Sequence, residues 1–344
     1  MQGLSYMVTT YDIAKLTGLN QSTVSRVLSG FPNVSPKTAK KVYDACQKLN
    51  FVPNASARAL KTSRTFTLAI HMPYGSETVL ADPFIPIFLS AVSREAARNG
   101  YSVIISYADS PDSQSELINL VKARRVDGVI LTSPSSDDPG IKTLIEEGVP
   151  FVTGRHESNK NEKSACVDID NYRSGFVAGK FLISQGHSTI GLITESKESI
   201  VGHDFQSGFM KALDQSKIKR DKKNIKAIPV TFDAAYAATM ELLSSPKPPS
   251  AIIANTTLTV FGAIEAVRKA RKNITVMGIE SPLLKSLHPD LPRIQAPIED
   301  LGCQMAGTLI KLLETGGTQS IPPKMLYTRI VDEKGNVFVE DTSS

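Results

Sequence analysis

Two groups of side chains in this 344-residue sequence have the types and spacing for recognition chemistry. The first is cationic. Nine Lys or Arg crowd residues 1–64 (Lys15, Arg26, Lys37, Lys40, Lys41, Lys48, Arg58, Lys61, Arg64) against only Asp12 and Asp44, a net charge of +7. The other 280 residues hold 30 basic and 32 acidic side chains, a net of −2. Positive charge gathered into one small terminal piece is the distribution of an appended nucleic-acid-binding module; a merely basic, solvated face is the plainer alternative. The second group follows apolar runs: Asp82 and Phe84, Ser133 and Ser135, then Arg155. Open α/β sheets bind ligands beyond the carboxyl ends of their strands, so these are candidate ligand contacts, set against ordinary loop solvation. Catalytic chemistry has no such support. No GxGxxG, P-loop, GxSxG, HExxH or zinc-ligand spacing occurs, and His71, His156, His187, His203 and His288 form no close pair. We expect no enzyme, no catalytic residue, no metal and no cofactor.

The elements that must position these residues divide the chain by pattern. Thr10 is expected to cap a helix over Tyr11–Leu16, ended by Gly18. A second helix is expected over Ser22–Leu28, with Val24, Val27 and Leu28 on one face and Gln21, Ser22, Ser25 and Arg26 on others. A third begins with Ser35 as cap and Pro36 in its first turn. Together they form a helix-turn-helix unit. Residues 53–64 are small, polar and basic with a single large apolar residue, Leu60; Asn54 could cap about two helical turns there, too short to persist alone. From Phe66 the pattern becomes βαβ. Strands are expected at Phe66–Met72, Tyr101–Tyr107, Gly128–Thr132, Pro150–Thr153, Thr189–Thr194, Ala251–Ala254 and Ile274–Met277. Amphipathic stretches include Phe84–Asn99, Gln114–Ala123, Tyr172–Gln185, Asp204–Leu213 and Leu258–Ala270. Such alternation implies parallel sheets covered on both faces, and about 280 residues favour two lobes.

The composition, 41% hydrophobic and 21% charged, is that of a soluble globular protein. No apolar run approaches the ~18–20 residues that span a bilayer, and the first residues lack a signal-peptide pattern, so a cytoplasmic protein without a membrane partner is expected. Cys46, Cys166 and Cys303, sparse and odd in number, are expected to be reduced thiols rather than a disulfide framework.

The segments Thr10-Tyr11-Asp12-Ile13-Ala14-Lys15-Leu16-Thr17-Gly18-Leu19 and Ser22-Thr23-Val24-Ser25-Arg26-Val27-Leu28-Ser29-Gly30 carry a dense motif, continued by Val34-Ser35-Pro36-Lys37-Thr38, Leu49-Asn50-Phe51-Val52-Pro53-Asn54 and Ala57-Arg58-Ala59-Leu60. Over some 50 residues this closely resembles the start of the lactose-repressor/galactose-repressor family. The remainder is more loosely similar to that family's regulatory domain, itself similar to periplasmic sugar-binding proteins, through Asp82-Pro83-Phe84, Arg124–Ile130, Asp168-Ile169-Asp170-Asn171 and Gly186-His187. Three positions depart from the family pattern: Phe205 stands where Arg is usual before Gly208, Asn255-Thr256 where Asn-Asp is usual, and Gly278-Ile279-Glu280-Ser281 where Gly-Phe-Asp-Asp is usual. Effector identity therefore does not carry over.

The resemblance implies an all-α helix-turn-helix DNA-binding domain (7–52), a hinge-helix linker (53–64) and an α/β two-lobed effector-binding and dimerisation domain with parallel sheets (65–344). The lobes are expected at about 65–167 with 297–323 and about 168–296 with 324–344. The helix starting near Gln21 would enter the major groove of double-stranded operator DNA. Asn20, Gln21, Ser22 and Arg26 are the candidate base readers, since Gln pairs with adenine and Arg with guanine through two hydrogen bonds. Thr23, Ser25, Asn33, Ser35 and Thr38 would hold phosphates, with helix capping the alternative for Ser and Thr, and Thr10 and Tyr11 are also expected at the DNA. Asn54, Ala57, Arg58 and Leu60 belong to the hinge, where paired Leu60 side chains would wedge into the minor groove. Asp82, Phe84, Ser133, Ser135, Arg155, His156, Phe205, Asn255 and Glu280 are the expected effector contacts. The implied function is a repressor that binds a palindromic operator as a homodimer, without the leucine-heptad tail of a tetramer, and is released by a small sugar, disaccharide or glycoside. A corepressor-dependent regulator, a sugar acid or acidic sugar conjugate as effector, and a soluble sugar-binding protein are the alternatives.

Overall fold

Residues 8–28, 34–51, 64–72, 83–107, 114–132, 139–154, 164–196, 199–316 and 321–338 are described by a computed structural model, in which the chain parts into two units at Phe66–Thr67.

The first unit is three helices, α1 (Thr10–Thr17), α2 (Gln21–Leu28) and α3 (Pro36–Lys48). The helix α1 begins one residue earlier than Thr10 as cap would allow. Thr9 is the boundary residue, because its N–H and its hydroxyl both donate to the Asp12 carboxylate, at 2.8 and 2.7 Å. Gly18 ends the helix in the left-handed region (φ 64°), where a Cβ would be strained. At α3 the expected signals hold: Ser35 accepts the Thr38 N–H at 3.2 Å and Pro36 opens the helix. Ile13, Val24 and Val42, one from each helix, are fully buried and meet Ala14, Val27, Ala45 and Cys46 in a single small core. The linker helix expected over 53–64 lies outside the described residues.

In the second unit β1 (Thr67–Met72), α4 (Phe84–Arg98), β2 (Ser102–Tyr107), α5 (Gln114–Lys122), β3 (Gly128–Leu131), α6 (Pro139–Glu146), β4 (Phe151–Thr153) and β5 (Ser164–Ile169) build one lobe. The chain then crosses to α7 (Asn171–Ser184), β6 (Ile190–Glu195), α8 (Ile200–Gln215), β7 (Ile225–Ile228), α9 (Phe232–Leu243), β8 (Ala251–Ala254), α10 (Thr257–Ala270), β9 (Thr275–Ile279), α11 (Pro282–Leu287) and β10 (Arg293–Gln295). It returns for α12 (Ile298–Thr315) and β11 (Lys324–Leu326), and crosses again for β12 (Arg329–Val331) and β13 (Val337–Phe338). The first sheet is ordered β11-β5-β4-β3-β1-β2 and is parallel throughout; the second is ordered β13-β12-β10-β9-β8-β6-β7, with β12 antiparallel to both its neighbours.

Neighbouring strand residues point into different cores, as period-2 geometry requires. Leu192, Ile253 and Met277 face Phe181, Phe205 and Phe209, whereas Ile193, Ile252 and Val276 face Leu242 and Val260. This is the doubly covered sheet that the unbroken apolar runs imply. The seven expected strands are present within two residues of their expected ends. The lobe boundary expected at 323/324 is corrected. Lys324, Met325 and Leu326 pair in parallel with Val167, Asp168 and Ile169, so this strand extends the first sheet and the last crossing falls at Tyr327–Thr328. Likewise β5 runs to Ile169, past the expected break at 167/168. Cys46 and Cys166 are buried and Cys303 half-buried, all as free thiols. Burial, with the neighbouring Asp168 charge, pushes the Cys166 thiol up to about 12, which keeps it protonated and inert. Among the described residues no helix is long and apolar enough to cross a membrane, and no cluster of metal-ligating side chains forms.

Candidate functional site

The helix α2 presents a polar face whose composition follows from its core contacts. Val24 and Val27 are buried against α1 and α3. At ~100° per residue, Gln21, Ser25, Ser22 and Arg26 then occupy an arc of about 140° on the other side. Gln21, Ser22 and Arg26 are exposed, Thr23 and Ser25 half-buried. Gln21 donates from Nε2 to the Thr10 hydroxyl at 3.0 Å, which ties the start of α2 to the start of α1. Asn20 is exposed just ahead of α2, and its carbonyl accepts the Thr23 and Val24 N–H groups. Tyr11 is 64% exposed. Ser35 and Thr38 lie 2.8 Å apart, hydroxyl to hydroxyl, at the start of α3, so both serve the cap that the sequence left as an alternative to phosphate contact. Lys15, Arg26, Lys37, Lys40, Lys41 and Lys48 are all exposed. These six cations are therefore presented to solvent, ready for anions, while Arg64 is half-buried. Asn33, Asn54, Ala57, Arg58 and Leu60 lie outside the described residues.

In the second unit a cleft of about 1370 Å³, open mouth included, runs between the two lobes at the carboxyl ends of their strands. The first lobe's wall is largely apolar: Met72, Phe84, Phe88, Leu301 and Met305, with Thr132 and Asp168 as polar points. The Phe84 and Phe88 rings stack one helical turn apart at 6.0 Å and 11°. The second lobe contributes Asn171, Glu195, Asn255 and Thr256 beside Val201 and Phe205. Phe205 is placed by two helices in unusually close contact. A Cβ on Gly175 of α7 would lie 1.9 Å from the Phe205 carbonyl oxygen, and one on Gly208 of α8 1.8 Å from that of Tyr172, so only glycine permits the approach. The helix α8 starts four residues before its expected position because Ser199 caps it, accepting the Gly202 N–H at 3.2 Å. At the crossings, Thr328 donates to the Ser174 hydroxyl at 3.1 Å and Ser174 lines the same cleft.

Three side chains define the cleft's electrostatics. Asn255 at the end of β8 is 5% exposed, yet neither its amide nitrogen nor its oxygen has a hydrogen-bond partner. A buried amide with both atoms unmatched is one that a polar ligand or an ordered water can complete. Asp168 at the end of β5 receives the Ile169 N–H at 2.7 Å. Burial, then the charges of Asp204 and Asp170, push its carboxyl up to about 7 against the lowering effect of that N–H. Glu195 at the end of β6 accepts the Ser199 hydroxyl.

Of the expected effector contacts, Phe84, Phe205 and Asn255 line the cleft. Glu280 follows the cleft residue Ile279 without lining the cleft itself; its carboxylate accepts from Arg293 Nε at 3.1 Å and Gln295 Nε2 at 3.0 Å, and Arg293 is nearly buried on the adjacent strand β10. Asp82, Ser133, Ser135, Arg155 and His156 lie outside the described residues. The sequence reading missed Asp168, Glu195, Asn171 and Thr132 as cleft residues; each sits at or just beyond a strand or crossing end, the signal that would have found them.

Residues 9–54 match the family described as bacterial regulatory proteins, lacI family, and residues 78–285 match the periplasmic binding protein domain. The chain is 30% identical over 325 residues to the HTH-type transcriptional regulator CelR of Thermobifida fusca, covering 93% of this chain and 95% of that protein. It is 30% identical over 277 residues to the HTH-type transcriptional regulator MalR of Streptococcus pneumoniae, covering 80% and 84%. A solved transcriptional regulator CelR–cellobiose complex superposes with a TM-score of 0.73 at 28% identity, over 96% of this chain and all of that one.

Proposed function

The chain belongs to the lacI family of bacterial regulatory proteins, DNA-binding transcription regulators rather than enzymes, and on that premise we propose that it is a cytoplasmic repressor released from its operator by a small sugar or glycoside bound between the lobes. It acts as a homodimer, presenting two α2 helices to the half-sites of a near-palindromic operator. Arg26 and Gln21 read bases, and Ser22 and Asn20 stand beside them at the helix start. Leu60, in the linker, enters the minor groove at the operator centre.

The buried, unpartnered Asn255 amide carries the effector reading. It lies in an interlobe cleft with stacked aromatic rings on one wall and Asn171, Thr256 and the acidic Glu195 beside it on the other. A sugar hydroxyl is donor and acceptor at once, and so completes an amide that offers both. The apolar face of a pyranose suits Phe84. Closure of two lobes joined by crossing strands then couples occupancy to the DNA-binding unit. The relative seen with cellobiose supports a sugar as the ligand class. The test is a gel shift of the full chain on DNA flanking its own gene, at graded salt, with and without a panel of sugars. A sequence-specific, salt-sensitive complex that one sugar dissociates supports the proposal. A complex that a sugar strengthens makes the protein corepressor-dependent, and binding indifferent to sequence removes the operator reading.

A further inference from the structure

Of the groups lining the cleft, Asp168 fits a neutral sugar worst. It lines the cleft beside Gly154, which follows the neighbouring strand β4; a Cβ added there would meet its Oδ1 at 3.5 Å, an ordinary contact, so the glycine lies against the carboxylate without a side chain of its own. Among the described residues its charged neighbours, Asp170 at the cap of α7 and Asp204 on α8, are both acidic, and Asp204 is itself bonded to the exposed His203 at 3.2 Å. Across the cleft the second lobe adds Glu195. Among the described lining residues there is no Lys or Arg. Closing the lobes on a neutral ligand would strip more water from a carboxylate that has no cationic partner among the described lining residues, and an acidic ligand would add repulsion. A ligand bearing an ammonium group does the opposite. Asn255 supplies an independent sign that the same cleft is built for a polar ligand, being 5% exposed with both amide atoms unmatched.

We infer that the effector is an amino sugar, its ammonium group held by Asp168 and one of its hydroxyls by the Asn255 amide. This deepens the reading of the cleft as the effector site and rests on it. The carboxyl's elevated protonation range fits: a group held at about 7 gives up its proton when a cation arrives, so binding at pH 7 releases protons into the buffer.

The experiment is calorimetric titration of the full chain at pH 7 with hexosamines of gluco, galacto and manno configuration and their β-1,4 dimers, each paired with its neutral parent sugar. At least one amine is expected to bind about tenfold or more tighter than its parent, the smallest effect of an opposite charge near a carboxylate. Asp168→Asn should collapse that ratio toward one. Neutral parents that bind as tightly as their amines throughout overturn the inference. If those neutral sugars also dissociate the operator complex, the effector-site reading survives and only the charge assignment falls. If no sugar of either series binds, both fall.

Discussion

The two recognition surfaces hold their polar groups in opposite states. On α2 the exposed groups that would meet DNA, Gln21, Ser22 and Arg26, belong to a unit with excess positive charge, while Val24 and Val27, with Leu28 beside them, anchor the helix in the core. Among the described residues of the cleft, the groups that would meet effector are buried or half-buried, the charged ones are acidic, and the buried Asn255 side-chain amide has no hydrogen-bond partner. A solvated face costs the folded chain little and is free to change; a buried one ties ligand recognition to stability. Substitutions should therefore separate the two surfaces.

The largest effect should come from the helix contact behind the cleft. Gly208→Val places a side chain into the Tyr172 carbonyl and should cost more than ~3 kcal/mol, read as a large loss of Tm or of soluble protein. A variant that melts like the wild type would mean that α7 and α8 do not pack this closely. Next, Arg26→Ala should weaken operator binding by ~1–3 kcal/mol and relax preference at one base pair per half-site, with Tm unmoved. Unaltered base preference in a binding-site selection would remove its reading role.

How much of this was legible in the sequence follows the same division. The helical unit is local: Gly18, Ser35-Pro36 and the Val24/Val27 spacing act within a few residues, and only the cap moved, from Thr10 to Thr9, because Asp12 collects both Thr9 donors. The long apolar strands were legible for the same reason. The strand β7 was not, since Lys226 interrupts its short run, and β10 to β13 are two or three residues each. The helix α12 went unassigned although Ile298, Leu301, Met305, Leu309 and Leu312 repeat at helical spacing. The cleft depends on distant partners. Glu280 is bonded by Arg293, thirteen residues on, which its own segment does not announce, and Asp168 looks like connecting chain until Asp204 and burial define its surroundings.

Asp168 also gives the comparison a pH axis. Its folded carboxyl is held at about 7, above the ordinary 3.8, so the native state binds the proton more tightly than the unfolded chain does. Its contribution is therefore fully present below about pH 4, is lost as pH rises toward 7, and is level above that. Asp168→Asn should flatten this slope and raise stability at pH 8 by an amount on the order of 2 kcal/mol. Urea titrations across pH 4–8 that superpose for wild type and variant would contradict the assignment. The smallest effect is expected at Asn255. Asn255→Leu removes an unmatched buried amide and should stabilise the empty protein by about 1 kcal/mol while abolishing the sugar response. Destabilisation with the response retained would show that the amide has partners of its own.

The central claim is that cleft and operator surface are coupled, and sugar affinity measured on the full chain with and without saturating operator DNA tests it most directly. Coupling of ~1–3 kcal/mol predicts that the sugar binds 5–150-fold more weakly to the DNA-bound protein, matched by the same loss of operator affinity when sugar is bound. Equal sugar affinities in the two states would contradict the account.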